Sequence, residues 1–332
     1  MIKELLSKIL TMVFGKYLPC YIISHKPFII ISYWQDFISN KEKFIKNFAG
    51  HEKVFIIFQL GWHRETDERV MEIVNALKEL NTMRPGLEYI FLCNSTREEE
   101  LFKQYSLNGI LCHQNAFIDE RKYKIIPLAV KKYAAIYIAR VTPFKRHELA
   151  AGIDSLRLIG YYSPTETQYF QKIMQLLKHP DWTLNVSSGR IYKEINSAST
   201  GLCLSAEEGA MFVSAEYLLC GIPIVNTKNL GGRDTLFSPE YVFSAENTPE
   251  SVAEGVKTLI AKKLPPEKIR EAILVKMYQH REIFINIIQN IYDRENSPKS
   301  FRDEWEKVFI HKLGIRRSVP VLTKMRRGIR DK

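Results

Sequence analysis

The stretch Ser205-Ala-Glu-Glu-Gly-Ala-Met-Phe-Val-Ser-Ala-Glu-Tyr-Leu-Leu-Cys-Gly-Ile-Pro-Ile-Val225 decides how the chain reads. The apolar run Gly201–Leu204 leads into it as a short buried strand. Glu208-Gly209 opens a helical pattern in which Met211, Phe212, Ala215, Leu218 and Leu219 share an apolar face. Cys220-Gly221 is a helix stop, and Pro223 forbids continuation. A second strand, Ile222–Val225, follows at once. Glu208 and Glu216 stand eight residues apart, which on a helix brings them near one face, two turns apart. Glu208 falls at the helix N-terminus, where free N–H groups and the dipole favour phosphate or hydroxyl ligands. Taken alone, the stretch is equally an αβ unit with two solvated glutamates.

Outward from it the same alternation continues in both directions. Strand 133–139 precedes helix 145–153. Strand 157–161 precedes helix 165–177, which is capped near Ser163-Pro164. Strand 183–186 precedes helix 189–196. After Val225 come a loop at 228–233, strand 241–243 and helix 249–262. Six βα units of this kind predict a Rossmann-like domain with a parallel sheet.

The first third has a similar texture. Strands are expected at 21–24, 28–33, 54–60, 87–93 and 110–112, with helices at 41–48, 67–80 and from a Ser95 cap to 105. Glu98, three residues after Ser95, completes a capping-box pattern. This is a smaller βα domain without a Gly-rich loop after its first strand. Residues 121–132 read as a connector, and Pro265-Pro266 sets off a C-terminal helical region over 267–291 and 301–312. The resulting division is 1–125, 126–265 and 266–332.

Composition sets limits on function. The chain has 332 residues, 45% apolar and 26% charged, enough to bury two cores. Cysteines 20, 93, 112, 203 and 220 are odd in number and show no C-x-x-C pair, so they read as reduced core thiols of a cytosolic protein and not as a disulfide framework or a zinc site. Residues 311–332 hold eight Lys/Arg against one Asp, so +7 of the formal +11 sits in the tail. Such a tail suits an anionic surface or simply a solvated terminus. Residues 1–14 place Ile2, Leu5, Leu6, Ile9, Leu10 and Val13 at helical spacing. This amphipathic helix packs on its own domain or lies on a membrane. No apolar run approaches the roughly 18–20 residues of a transmembrane helix.

The second domain lacks G-x-G-x-x-G, the dinucleotide fingerprint. At the end of its first strand it carries Ala139-Arg-Val-Thr-Pro-Phe-Lys145 instead. Arg140 and Lys145 thus occupy the first βα loop of a doubly wound domain, and ligands of such domains bind at the carboxyl ends of the strands. Arg grips a phosphate through two hydrogen bonds, and Lys adds a mobile point charge.

R-x4-K after the first strand, E-x7-E at Glu208 and Glu216, then C-G-I-P-I-V and Gly231-Gly232 occur in a single order. Together they resemble the retaining, nucleotide-sugar-dependent glycosyltransferases of family 4. The resemblance covers about residues 133–262. It implies an α/β chain of the GT-B fold, with two Rossmann-like βαβ domains facing a central cleft and a short N-terminal domain. It further implies that Arg140 and Lys145 neutralise the donor diphosphate and the charge growing on it as it leaves. Glu208 would bond sugar hydroxyls and Glu216 the ribose hydroxyls. Backbone N–H groups of Glu208, Gly209, Ala210 and Met211 would face the sugar and phosphate, with no metal and no cofactor. His63, after a strong strand of the first domain, would face the cleft; as a plain loop residue it would only stabilise a turn. His113 and Asn115 carry the same pair of readings. Two features depart from the family pattern. The N-terminal Gly-rich loop is missing, and Arg233-Asp234 replaces the usual Glu after Gly-Gly.

The function implied is transfer of a sugar from a nucleotide sugar to a glycan or lipid-linked acceptor, in surface-polysaccharide or lipopolysaccharide synthesis. The place expected is the cytoplasm, peripheral to the anionic inner face of the membrane. The alternative is a degenerate chain that binds nucleotide sugar or glycan without transfer. Nucleic acid is not an expected partner, because only net charge suggests one and no nucleic-acid motif accompanies it.

Overall fold

The computed structural model describes residues 18–177, 180–184, 186–187 and 189–308. The amphipathic helix expected over 1–14 and the basic tail over 311–332 lie outside the described residues. Among the described residues, one compact unit takes in everything up to Phe117 and from Arg281 onward, and the other is Ile118–His280.

The first unit is built on strands β1 (Cys20–His25), β2 (Phe28–Tyr33), β3 (Val54–Gln59), β4 (Leu87–Cys93) and β5 (Gly109–Leu111), in that spatial order. β1 runs antiparallel to β2, and all other pairs are parallel. Between them lie helices α1 (Trp34–Ile38), α2 (Lys41–Asn47), α3 (Asp67–Met83) and α4 (Thr96–Gln104). A parallel sheet wound steadily in one direction puts its right-handed crossovers on one face. There Phe37, Phe44, Ile73 and Phe102 pack with Ile56, Phe58 and Phe91.

The opposite face presents Phe55, Ile57 and Leu92, as the two-residue period of a strand requires. It is covered from the far end of the chain. Helices α9 (Pro266–Arg294) and α10 (Phe301–Val308), numbered in chain order, supply Phe284, Ile288, Tyr292, Phe301 and Trp305. Every residue of β3 is therefore buried, which explains its unbroken apolar run. The region that the sequence sets apart as 266–332 is divided within α9, and its described residues from Arg281 on belong to the first unit, where Phe284, Ile288, Tyr292, Phe301 and Trp305 enter the core.

The second unit holds β6 (Tyr133–Ile138), β7 (Leu156–Gly160), α5 (Thr167–Leu176), β8 (Asp181–Leu184), α6 (Ile191–Asn196), β9 (Ala198–Cys203), α7 (Phe212–Leu219), β10 (Ile224–Thr227), β11 (Val242–Ala245) and α8 (Pro249–Ala261). Its sheet runs β11-β10-β9-β6-β7-β8, parallel throughout. That is the doubly wound order, with the direction of winding reversing between β6 and β9. Gly201 of β9 makes room for one packing element. A Cβ there would lie 2.3 Å from the Tyr217 ring. The ring crosses β9, and its hydroxyl accepts the Ile138 N–H at 2.9 Å, tying α7 to the end of β6.

Two expected helices are corrected. The span 145–153 is not an α-helix but two 3-10 turns, Pro143–Lys145 and His147–Ala150, parted by Arg146 at φ 50°. That left-handed residue turns its side chain inward, where Nε donates to Leu204 O at 2.6 Å. Helix α7 begins at Phe212 and not at Glu208. The chain before it is extended and pairs with the loop after β10: Glu208 N–H donates to Leu230 O and Leu230 N–H to Ala206 O, both at 2.9 Å. Met211, at φ 49°, then turns the chain into the helix. Glu208 and Glu216 therefore do not share a helix face.

All five cysteines are buried thiols, none joined in a disulfide. No helix among the described residues is long and apolar enough to cross a membrane.

Candidate functional site

The loops that leave the carboxyl ends of β6 and β9 flank the point where the winding reverses. Lys145 comes from the first and Glu208 from the second. Lys145 Nζ donates to Glu208 Oε1, with the two side chains only 14% and 8% exposed. The same Oε1 accepts from Ser205 Oγ at 2.6 Å. Oε2 of Glu208 has no hydrogen bond to a described residue, so it remains an acceptor for a hydroxyl. Two further bonds fix the backbone of Lys145: its carbonyl accepts from the Tyr137 hydroxyl at 2.6 Å, and its N–H donates to Thr142 O at 3.0 Å.

Two guanidinium groups hold the Glu208 loop from beneath. Arg146 Nη2 donates to Ser205 O at 3.0 Å, to Thr227 Oγ1 at 2.9 Å and to Lys228 O at 2.9 Å. Arg233 is fully buried; its Nη1 donates to Ser205 O at 3.0 Å and its Nη2 to Thr227 O. Arg233 thus braces the loop from inside instead of facing a ligand. Sequence reasoning missed Arg146 because it stood as one more cation in an expected helix. Its side chain satisfies strand-end carbonyls that the parallel sheet leaves open.

Arg140 stands elsewhere on the same edge. It bonds Glu166 and Ser163, both beyond the end of β7. Gly209, Ala210 and Met211 are buried in the loop before α7. Gly209 O accepts from Gly232 N–H at 2.9 Å, which links E-x7-E to the Gly-Gly pair. The Glu208 N–H is spent on Leu230 O and is not available to a ligand, contrary to expectation. Glu216 lies in mid-α7 and shares a hydrogen bond with Tyr123. Burial raises its carboxyl to about 7, against the lowering effect of that bond.

His147, beside this loop, is 1% exposed and neither ring nitrogen has a hydrogen-bond partner among the described residues. Its ring lies 4.7 Å from that of Tyr137. Burial, and then the charge of Lys145, lower its pKa to about 3.

His63, His113 and Asn115 belong to the first unit. They lie just past the carboxyl ends of β3 and β5, and each is at most 1% exposed. The polar residues here brace one another. Glu98 accepts the N–H groups of Arg64 at 2.7 Å and Asn94 at 2.6 Å, joining the loops after β3 and β4. Its carboxylate is thereby drawn away from the capping box expected with Ser95, although Ser95 Oγ does accept the Glu98 N–H at 3.1 Å. Asn94 reaches Leu60 O on one side and accepts the Gln114 N–H on the other, both at 3.1 Å. His113 Nδ1 accepts the Asn115 N–H at 3.2 Å, a bond that shapes the local turn. Among the described residues no group of three or more His, Cys, Asp or Glu is placed to hold a metal ion.

No family model and no curated protein sequence matches the chain. Solved structures do. HepE from Anabaena in complex with UDP aligns with TM-score 0.60 and 15% identity, over 76% of this chain and 81% of that one. TarM from S. aureus, in complex with Fondaparinux, alpha-GlcNAc-glycerol and UDP, aligns with TM-score 0.58 and 15% identity over 78% of this chain but only 54% of its own. Sucrose-phosphate synthase from Thermosynechococcus elongatus aligns with TM-score 0.53 and 14% identity, over 76% of this chain and 81% of that one. At such identities the likeness is one of fold: two Rossmann-like bodies, as in glycosyltransferases of the GT-B class.

Proposed function

We propose that this chain is a glycosyltransferase that moves a sugar from a nucleotide-sugar donor to a glycan or lipid-linked acceptor. The observation that carries the proposal is the Lys145–Glu208 pair, set on neighbouring strand ends at the reversal point of a doubly wound sheet. Nucleotides bind such sheets at that point. Lys145 meets the donor diphosphate, together with Arg140. Their charge stabilises the oxygen that takes the electron pair when the bond to the anomeric carbon breaks, usually the largest catalytic contribution. Glu208, through Oε2, accepts from sugar hydroxyls, and Glu216 from the ribose. The Gly209–Met211 loop lies against the sugar, and His63 serves the acceptor side.

Retention at the anomeric carbon and independence of metal belong to the same proposal. They rest on the family 4 pattern of R-x4-K and E-x7-E and on cations standing where a metal would otherwise act. The fold likeness to HepE and TarM, whose structures hold UDP, supports UDP as the first nucleotide to try. The +7 tail supports contact with anionic lipid, and with it peripheral work at the cytoplasmic face in surface-glycan synthesis.

The test is incubation with a panel of UDP-, GDP- and ADP-sugars and glycan or lipid-linked acceptors in the presence of EDTA. Product should form with the donor's anomeric configuration, and Lys145→Ala should form it about 10²–10³-fold less efficiently. Product that is inverted or needs added metal would overturn those two parts, and nucleotide-sugar binding without product would favour the degenerate binder.

A further inference from the structure

Arg140 is gripped from the side. Its Nε donates to Glu166 Oε2 at 3.1 Å, and Nη2 lies 2.9 Å from Glu166 Oε1. Nη2 also lies 3.4 Å from Ser163 Oγ. The remaining nitrogen, Nη1, has no hydrogen bond to a described residue. Glu166 is itself immobilised. Its Oε2 accepts from the Ser163 N–H and from Ser163 Oγ, each at 2.8 Å. The Glu166 side chain is 12% exposed, against 42% for Arg140.

An ion pair with one exposed partner adds little stability. Its effect is on orientation. A guanidinium presents its N–H groups as a rigid fork. With the Nε–Nη2 side taken by a fixed carboxylate, the free end is the one carrying Nη1, and the freedom of the long side chain is reduced before any ligand arrives. We propose that Glu166 is a positioning residue, which holds Arg140 side-on so that its Nη1 end is presented to the diphosphate of the donor. The inference rests on Arg140 being a donor contact, as under Proposed function. Burial acts to raise the Glu166 carboxyl, but hydrogen bonds from Ser163, Thr142 and Arg140 outweigh it and bring it down to about 2. The brace therefore stays charged at working pH.

The test uses calorimetric titration of the full chain with UDP, GDP and ADP, and donor kinetics with the one that binds best, for wild type, Arg140→Ala, Glu166→Gln and the double variant. Gln at position 166 keeps an acceptor for the Ser163 N–H and so keeps the helix cap; the melting temperature of Glu166→Gln should match wild type. Glu166→Gln should raise the nucleotide Kd and the donor KM about tenfold, roughly 1.4 kcal/mol, and change neither when Arg140 is already alanine. If Arg140→Ala weakens binding and Glu166→Gln does not, the inference fails while the donor-site reading survives. An undiminished Glu166→Gln effect in the Arg140→Ala background also sinks it. If Arg140→Ala binds like wild type, or none of the three nucleotides binds, the reading of Arg140 as a donor contact fails and the inference with it.

Discussion

Lys145 and Glu208, sixty-three positions apart in the chain, share a hydrogen-bonded ion pair in which both side chains are at least 86% buried. Each is also fixed by its own loop: Lys145 through the Tyr137 hydroxyl on its carbonyl, Glu208 through Ser205. The pair is a charge-neutral unit. If this is the donor site proposed above, a donor would meet a cation already aimed and a carboxylate with one oxygen still open.

Removing either partner should therefore cost activity and stability together. Lys145→Ala should lower kcat/KM by about 10²–10³, the scale of a lost charge-stabilising contact. It should also lower unfolding free energy by about 3 kcal/mol, because Glu208 is left nearly buried with only Ser205. Urea unfolding and donor kinetics on the same preparation check both. Loss of stability without loss of transfer would make the pair a structural one.

His147 predicts a pH dependence. Its folded pKa is about 3 against 6.5 unfolded. Between these values the unfolded chain binds a proton that the folded chain does not. Stability from this residue is complete above pH 6.5 and is lost as pH falls towards 3, at about 1.4 kcal/mol per pH unit. Glu98 and Glu216, both raised to about 7, act with the opposite sign between about 4.5 and 7. The comparison must be differential: His147→Phe should show a shallower loss of unfolding free energy than wild type from pH 6 to 4. Parallel curves would place the His147 proton elsewhere.

Glu216 predicts a second. Protonated below about pH 7, it gains the ability to accept fully from two ribose hydroxyls only when ionised. The donor KM should fall as pH rises from 6 to 8, and the Glu216→Gln variant should lose that trend while keeping kcat within about twofold. A change in kcat with KM untouched would argue against ribose contact.

Phe284 tests the fold. It is fully buried between Phe117, Phe301 and Trp305, on the face of the first unit that no crossover helix covers. Phe284→Ala should cost about 3–5 kcal/mol and lower the urea midpoint followed by intrinsic fluorescence; an unchanged midpoint would contradict this packing.

The strands of the first sheet are legible because its centre is buried on both faces and runs apolar without interruption, as at Val54–Phe58, whereas the edge strands β8 and β11 of the second sheet are only partly buried. The stop at Cys220-Gly221 was equally plain: Gly221 takes φ 73° just past α7. What the sequence concealed were tertiary decisions. Nothing in the local pattern says that Met211 and Arg146 adopt left-handed backbone, which is favourable only because the loops they shape bond across to Leu230 and Leu204. Nor does an amphipathic helix at 266–294 declare which unit its apolar residues will complete. In the site, Lys145 and Glu208 were expected to serve one ligand and are found bonded to each other. Arg140 is expected beside Lys145, yet the partners that fix it are Glu166 and Ser163, residues of another βα loop whose sequence marks only a helix start.

The measurement closest to the central claim is direct binding of nucleoside diphosphates to the wild-type chain and to Lys145→Ala and Glu208→Gln. Calorimetry with UDP, GDP and ADP should show saturable one-site binding of one of them, at least about tenfold weaker in Lys145→Ala. Glu208→Gln should bind the free diphosphate nearly as wild type and lose affinity only for the intact nucleotide sugar. Equal binding by all three proteins, or no binding of any of the nucleotides, would contradict a donor site at Lys145 and Glu208.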